Sequence, residues 1–430
     1  MNPLAIIFTL LTGYYLLKLP REWAPLPLLI GASYMTLGQS ISMGPFHFYV
    51  IRILITLGAI RVIIREERLI GGWQNLDRMM ILWCGCAVFS SFFHENFSTA
   101  LINRLGFAYD AFGLYFLLRI FIRNSENVRF LLKISLIVLA PIAAEMMMER
   151  VTGQNMFSFL GGIPAMSEVR DGQIRAQGPF GHSILAGTVG AVCLPLAFLF
   201  WKGNRPLALL GLVTTGTMVL TSRSSGPIMT ALVACLGLCL WNVRSHLRLI
   251  RWAVVLGVMT LALAMNAPVW YILARIDLTG SSTGWHRAAL IDSAFKHLDE
   301  WWLGGTDYTR HWMPTGVEWS GDHTDITNYY LKLGVLGGLP LMLLFMGVLA
   351  SGFTSISRAF RSNEALTADK QFLLWTLGAV LFGHAATMVS VSYFDQSIVF
   401  LYLILASIGS MQNSSVPEPE LALAPAICHE

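Results

Sequence analysis

The chain has 430 residues, 55% of them hydrophobic and only 13% charged, with a formal net charge of +4 at neutral pH. Together with a mean hydropathy of +0.60, that balance excludes an ordinary soluble protein and predicts an integral membrane protein. The charge excess sits in short loops between apolar runs and gives no sign of nucleic acid or an acidic partner.

In chain order, about 13 apolar runs read as spans, since a hydrocarbon core of about 30 Å needs roughly 20 helical residues. They fall at 3–17, 24–40, 47–64, 79–93, 99–118, 130–147, 182–201, 207–222, 227–242, 252–272, 326–350, 371–391 and 396–412. The predicted fold class is therefore all-α. It is a polytopic transmembrane bundle of about 12–13 spans forming one integral domain over 1–412, followed by a disordered cytoplasmic tail at 413–430. The first span has Lys18 and Arg21 after it and no basic residue before it. That is the reverse of a cleavable signal peptide, and it reads as a retained helix.

Lys and Arg gather in alternate loops: Lys18 and Arg21; Arg65, Arg68 and Arg78; Arg123 and Arg129; Lys202 and Arg205; Arg244, Arg248 and Arg251; Arg358, Arg361 and Lys370. The positive-inside rule makes these loops cytoplasmic and puts the N-terminus outside. Of the six cysteines, Cys84, Cys86, Cys193, Cys235 and Cys239 lie within spans and Cys428 in the tail. No external disulfide and no CxxC metal pattern follows.

The external face then carries two long loops, 148–181 and 273–325. The larger holds Trp285, Trp301, Trp302, Trp312 and Trp319 with His286, His297, His311 and His323. Aromatic faces stack on sugar rings and also anchor loops at a membrane interface. Anchoring is the expected role of at least half of these tryptophans, with Trp285, Trp312 and Trp319 as the glycan-contact candidates. Within the loop, 284–298 has helical apolar spacing and predicts an amphipathic helix lying on the membrane surface, with Arg287 on its first turn.

Three spans that start on this face are preceded by polar segments: Arg175-Ala-Gln-Gly-Pro-Phe-Gly-His182, Ser222-Arg223-Ser-Ser-Gly-Pro227 and Asp322-His323-Thr-Asp325. Helix N-termini attract phosphate. Pro179 and Pro227 suit helix starts, and Thr324 or Asp325 suits an N-cap. Arg175, Arg223 and Arg287 on one face suit a diphosphate, since each guanidinium offers a planar fork to phosphate oxygens. Taken singly, each is as readily a capping or snorkelling residue.

His323 lies between Asp322 and Asp325, either of which could orient its ring, and a neutral oriented imidazole is what a general base needs. The alternative is a histidine that caps a helix or faces water. A metal reading that joins Asp307, His311, His323 and Asp322 matches no ligand spacing and ranks below the base reading; no metal and no cofactor is expected. Among intramembrane charges, Asp110 predicts an arginine partner and a structural role. Gly334, Gly337 and Gly338 predict close helix packing.

The segments RAQGPFGHSILAG at Arg175, TSRSSG at Arg223, GWHRAAL at Arg287 and DHTDITNYYLKLGVLGG, in this order, resemble the bacterial O-antigen ligase and O-antigen polymerase superfamily of membrane glycosyltransferases. The resemblance is strongest from Arg175 to Asp395. It implies a metal-independent transfer from a glycan on undecaprenyl diphosphate, with inversion at the anomeric carbon. It further implies His323 as base, Arg175, Arg223 and Arg287 on the diphosphate, and the bacterial inner membrane as location, with the site facing the periplasm. Thr324 stands where many relatives have Asn, and both chain ends inside is the commoner arrangement among them.

The leading expectation is a polymerase of O-antigen or exopolysaccharide, acting on a second lipid-linked glycan, with membrane lipids and polysaccharide-assembly proteins as further partners. The alternative within the class is a ligase that transfers to lipid A core or to a protein. Two readings come from other classes. One is a transporter of lipid-linked saccharide, which would carry repeated halves and broken helices. The other is a noncatalytic assembly subunit that uses the loop for docking.

Overall fold

The structure, a computed structural model, describes residues 1–275, 284–317, 320–362 and 366–411. Trp319 and the tail at 413–430 lie outside the described residues. The chain is mostly helical, and a helix occupies every predicted span. In order these are α1 Pro3–Lys18, α2 Pro25–Tyr34, α3 Val50–Ile64, α4 Asn75–Phe89, α5 Phe97–Phe121, α6 Ser125–Thr152, α7 Ser183–Leu199, α8 Arg205–Thr221, α9 Ser225–Cys239 and α10 Leu247–Ala264. After the short α11 Ile272–Arg275 come α12 Gly284–Lys296, the single turn α13 Leu298–Trp301, α14 Tyr329–Ser362, α15 Ala368–Thr387 and α16 Ile398–Met411.

Among the described residues, two antiparallel hairpins interrupt the helices: β1 Ser40–Met43 with β2 Phe46–Tyr49, and β3 Glu168–Arg170 with β4 Gln173–Arg175. The first corrects the predicted spans 24–40 and 47–64. Gly44, with φ +61°, followed by Pro45 closes a turn there, so helix stops at Tyr34 and resumes at Val50. The predicted span 252–272 also shifts, because α10 ends at Ala264 ahead of Pro268.

Among the described residues, four helices are long and apolar enough to cross a membrane: Asn75–Phe93, Ser125–Thr152, Ser225–Ala264 and Tyr329–Arg361. Shorter apolar helices lie at Pro3–Lys18, Ser183–Leu199, Arg205–Thr221 and Ile398–Met411. The α6 helix alone, with 28 residues, extends about 42 Å at 1.5 Å per residue. Large apolar side chains lie exposed along α1 (Leu4, Leu10), α8 (Leu209, Val213) and α9 (Leu232, Leu236), while α10 buries none of its residues.

Connections alternate between two ends. At the basic end, Arg21 donates to the carbonyls of Ile120 and Arg68, Arg61 to those of Leu16 and Leu19, and Arg129 to that of Asp369. Here Arg61 pairs with Glu67 at 2.8 Å, and Arg119 faces Asp77 at 3.5 Å with both side chains fully buried. At the opposite end, Asn2 bonds Gln39 and Phe159, Gly181 bonds Asp395, and Arg175 bonds Ser224. In the bundle Asp110 takes two bonds from Arg52, at 2.8 and 2.7 Å, the predicted arginine partnership.

The α14 helix is broken at Gly337 and Gly338, where φ is −159° and +74°. The freed Leu336 carbonyl accepts from Arg104 at 2.7 Å and from Ser90 at 3.3 Å, Arg104 also donates to His94 Nε2 at 2.6 Å, and Thr306 N–H donates to the Val335 carbonyl at 2.9 Å. A Cβ on Gly338 would meet the Leu303 carbonyl, and one on Gly334 the Trp301 ring. The close approach predicted for these glycines serves the 301–304 segment at Gly334 and Gly338, and the end of α4 at Gly337, where a Cβ would meet Ser90.

Candidate anion-binding site

The segment before α7 is fixed from two sides. Glu149, fully buried near the end of α6, accepts from the N–H groups of Gln177 (3.0 Å) and Gly178 (2.8 Å) and from Ser167. From the other side, Asp395 accepts from Gly181 N–H at 2.7 Å, and Gln396 donates to Pro179 at 2.8 Å. Pro179 therefore sits in a turn four residues ahead of α7 instead of starting the helix, and His182 is the N-cap. Asn328 caps α14 by accepting from Leu331 N–H, so the cap falls beyond the predicted Thr324 and Asp325. Pro227 does lie in the first turn of α9.

Two of the predicted segments meet directly. Arg175 Nη2 donates to Ser224 Oγ at 2.5 Å, and Ala176 N–H donates to the Thr221 carbonyl at 3.1 Å. The α8–α9 reversal takes only three residues because Arg223 adopts φ +47°, a left-handed conformation costly for a side chain with a Cβ. It nests against Gly187, where a Cβ would collide with Ser222 and Pro227. Arg223 is exposed.

Arg175 is 3% exposed, and its Nη1 donates to both Glu168 oxygens at 2.8 Å. The hairpin sets this pair: Glu168 lies opposite Arg175 and Arg170 opposite Gln173, with Asp171 (φ +50°) and Gly172 (φ +70°) in the two-residue turn. Burial pulls the Arg175 guanidinium down, and Glu168 acts in the other direction. Arg287, half-buried on the first turn of α12, is pulled down by burial and by the charge of Arg170. The Nε atoms of Arg175 and Arg287 are buried without a hydrogen-bond acceptor among the described residues.

Asp325 joins the third segment to the others. It is exposed, and its charge is felt by His182, by His286 and by Lys332. Burial holds the 8% exposed His286 below the usual histidine range, and Asp325 partly offsets this. His182 Nδ1 accepts from Ile184 N–H at 3.0 Å, so that nitrogen carries no proton. A neutral ring then bears its proton on Nε2, 3.8 Å from Glu168 Oε2. His182 can thus donate a hydrogen bond from Nε2.

His323 is half-buried and Asp322 exposed. Their backbone is pinned by the preceding loop: the Asp322 carbonyl accepts from Thr309 (2.9 Å) and Arg310 (3.0 Å), and the His323 carbonyl from Val317 (3.3 Å). Thr324, 3% exposed, donates to the Thr315 carbonyl and takes Thr309 Oγ1 on its N–H.

The structure does not gather the group Asp307, His311, His323 and Asp322. Asp307 is bound by His94 at 2.5 Å and by Glu95 N–H, and His311 by Glu300. Trp312 is 4% exposed, donates to Glu300 at 3.0 Å and packs the loop's own core with Leu290 and Trp301. A ring so covered is not available to a glycan, which corrects that expectation. Trp285 is 54% exposed and remains available.

No protein-family model and no curated protein matches the chain. Arg170, His182, His286 and Glu149 are the site residues that sequence reasoning missed. The Asp171-Gly172 pair between alternating residues was the available signal for Arg170.

Proposed function

We propose that this chain is a multi-pass glycosyltransferase of the bacterial cytoplasmic membrane, of the O-antigen ligase and polymerase type, working on the extracytoplasmic face. The exposed apolar faces of α1, α8, α9 and α10 suit lipid contact, and the arginine-rich basic end suits the cytoplasmic side.

One observation carries the chemical reading. Two buried guanidinium Nε donors, on Arg175 and Arg287, lack an acceptor among the described residues, and Arg170 lies within electrostatic reach of both. Buried donors of this kind call for an anion, and the adjoining N-termini of α7 and α9 favour phosphate. The donor is a glycan on undecaprenyl diphosphate, with Arg175, Arg223 and Arg287 on the diphosphate and Arg170 adding to the field. Because Glu168 already occupies Arg175, a diphosphate takes the place of that carboxylate on Nη1.

In the reaction a sugar hydroxyl oxygen attacks the anomeric carbon and gives its proton to His323. The bond from that carbon to the diphosphate oxygen breaks, and its electron pair leaves with undecaprenyl diphosphate, which the arginines stabilise. Asp322 and Asp325 flank the base. The acceptor in the polymerase reading is a second lipid-linked glycan, and Trp285 offers it an exposed face. In the ligase reading the acceptor is lipid A core or a protein.

The break in α14 is a feature of transporters. Here Arg104 and Ser90 already satisfy the Leu336 carbonyl, which favours a structural role for the break.

The test uses purified protein in detergent with EDTA and a radiolabelled undecaprenyl-diphosphate oligosaccharide, with and without lipid A core, resolved on a gel. A ladder from donor alone identifies the polymerase, and product seen only with core lipid identifies the ligase. Donor that binds and gives no product in either lane removes the polymerase and the lipid A core ligase, and leaves a protein acceptor or the transport and docking readings.

A further inference from the structure

Apart from the anion site, α12, α13 and the 3-10 turn Arg310–Trp312 bring two imidazoles onto one carboxylate. His297 Nδ1 lies 2.8 Å from Glu300 Oε1, and His311 Nε2 lies 3.0 Å from both Glu300 oxygens. The two rings stand at 87° with centroids 4.7 Å apart, and the three ligand atoms all lie within 4.8 Å of one another. Among the described residues this is the one grouping of three or more such side chains.

The surroundings hold these side chains in place. Trp312 donates to Glu300 Oε2 at 3.0 Å and stacks on His297 with an interplanar angle of 9°. Ser293 donates to the Trp312 carbonyl at 2.8 Å, and Trp301 Nε1 to the Ala294 carbonyl at 2.9 Å, which fasten the 3-10 turn and α13 to α12.

We propose that His297, Glu300 and His311 form a binding site for a borderline divalent cation of the Zn²⁺ class, which braces the loop ahead of His323. Two nitrogen ligands and one carboxylate suit zinc and its neighbours better than calcium or magnesium. A tetrahedral ion held at about 2.0–2.1 Å spaces its ligands about 3.3 Å apart, so the imidazole pair closes by at most about 1.5 Å. Each ligand nitrogen then gives its lone pair to the ion, and a ring whose proton sits on that nitrogen moves it to the other one. Water or hydroxide completes the fourth position. Trp312 steadies the carboxylate from outside the coordination sphere.

The ion ties α13 to the 310–312 turn, and the neighbouring Thr309 and Arg310 N–H groups grip the Asp322 carbonyl. Binding therefore stiffens 309–324 without touching the proposed reaction, and its test reads metal and not turnover.

Tag-free full-length protein, stripped with EDTA and desalted, is titrated with Zn²⁺ by calorimetry. The expected result is one equivalent bound, lost in His297→Ala and His311→Ala and retained in His47→Ala, with slower hydrogen exchange over 309–324 in zinc. Wild-type binding no greater than that of the His297→Ala/His311→Ala double variant overturns the site, and zinc bound without slower exchange overturns the brace. If the alanine variants fail to fold, X-ray absorption on zinc-loaded wild type decides. Scattering from two imidazoles is expected, and its absence contradicts the assignment.

Discussion

Arg175 hydrogen-bonds Ser224 across 49 residues of sequence at 2.5 Å, while its other terminal nitrogen holds Glu168. One guanidinium thereby fixes the turn before α9 against the hairpin before α7. If that fork also receives the diphosphate, Arg175→Ala lowers the initial rate of glycan transfer by about 10²–10³-fold, the usual effect of removing one transition-state donor. Arg175→Lys keeps the charge and loses the fork, so it recovers little of the rate. Labelled-donor turnover checks both.

Glu149→Gln exchanges a buried carboxylate that accepts two backbone N–H groups and a hydroxyl for an amide with one acceptor oxygen. Hydrogen bonds to a charged group contribute about 1.5–3 kcal/mol each. The expected outcome is a lower thermal midpoint in detergent and faster hydrogen exchange over 176–181, with helices remote from α6 and α7 unchanged.

At the α14 break, Gly338→Ala places a Cβ against the Leu303 carbonyl at a left-handed φ. Strain of that kind costs about 1–3 kcal/mol. Gly216→Ala on α8, where the added Cβ meets open space, leaves stability unchanged or raises it by up to about 1 kcal/mol. Thermal unfolding of the pair separates the two glycine roles.

Burial pushes the Asp307 carboxyl up, and the bonds from His94 and Glu95 N–H outweigh it and leave it below the ordinary aspartate range. The folded state therefore holds this proton less tightly than the unfolded chain. The resulting stability is fully present above the unfolded value and is lost as pH falls through the folded one. Asp307→Asn should be less stable than wild type at neutral pH, and the gap should shrink in the acid range; midpoints measured from pH 7 to pH 3 read this directly.

Helix positions were legible because long apolar runs fix them whatever their partners. The break in α14 was not legible, because Leu336 to Pro340 is as apolar as its surroundings and only the 301–306 segment packing on Gly338 reveals it. At the site, the order of the arginine segments pointed to one face. The pairing of Arg175 with Glu168 was hidden by reading 148–181 as loop, although Asp171-Gly172 marks a hairpin. His182 was passed over as part of a motif, and only its bond to Ile184 N–H indicates which nitrogen carries the proton. Trp312 carries no sequence mark that separates it from Trp285, since burial arises from α12 and α13 folding over it.

The most direct measurement compares wild type, His323→Ala and His311→Ala in the same EDTA-containing turnover assay, with donor binding recorded for each. The account predicts that His323→Ala binds donor and loses transfer by at least about 10²-fold, the scale of general base catalysis, while His311→Ala keeps most of it. Full transfer by the His323→Ala protein would contradict the base assignment at the centre of this mechanism.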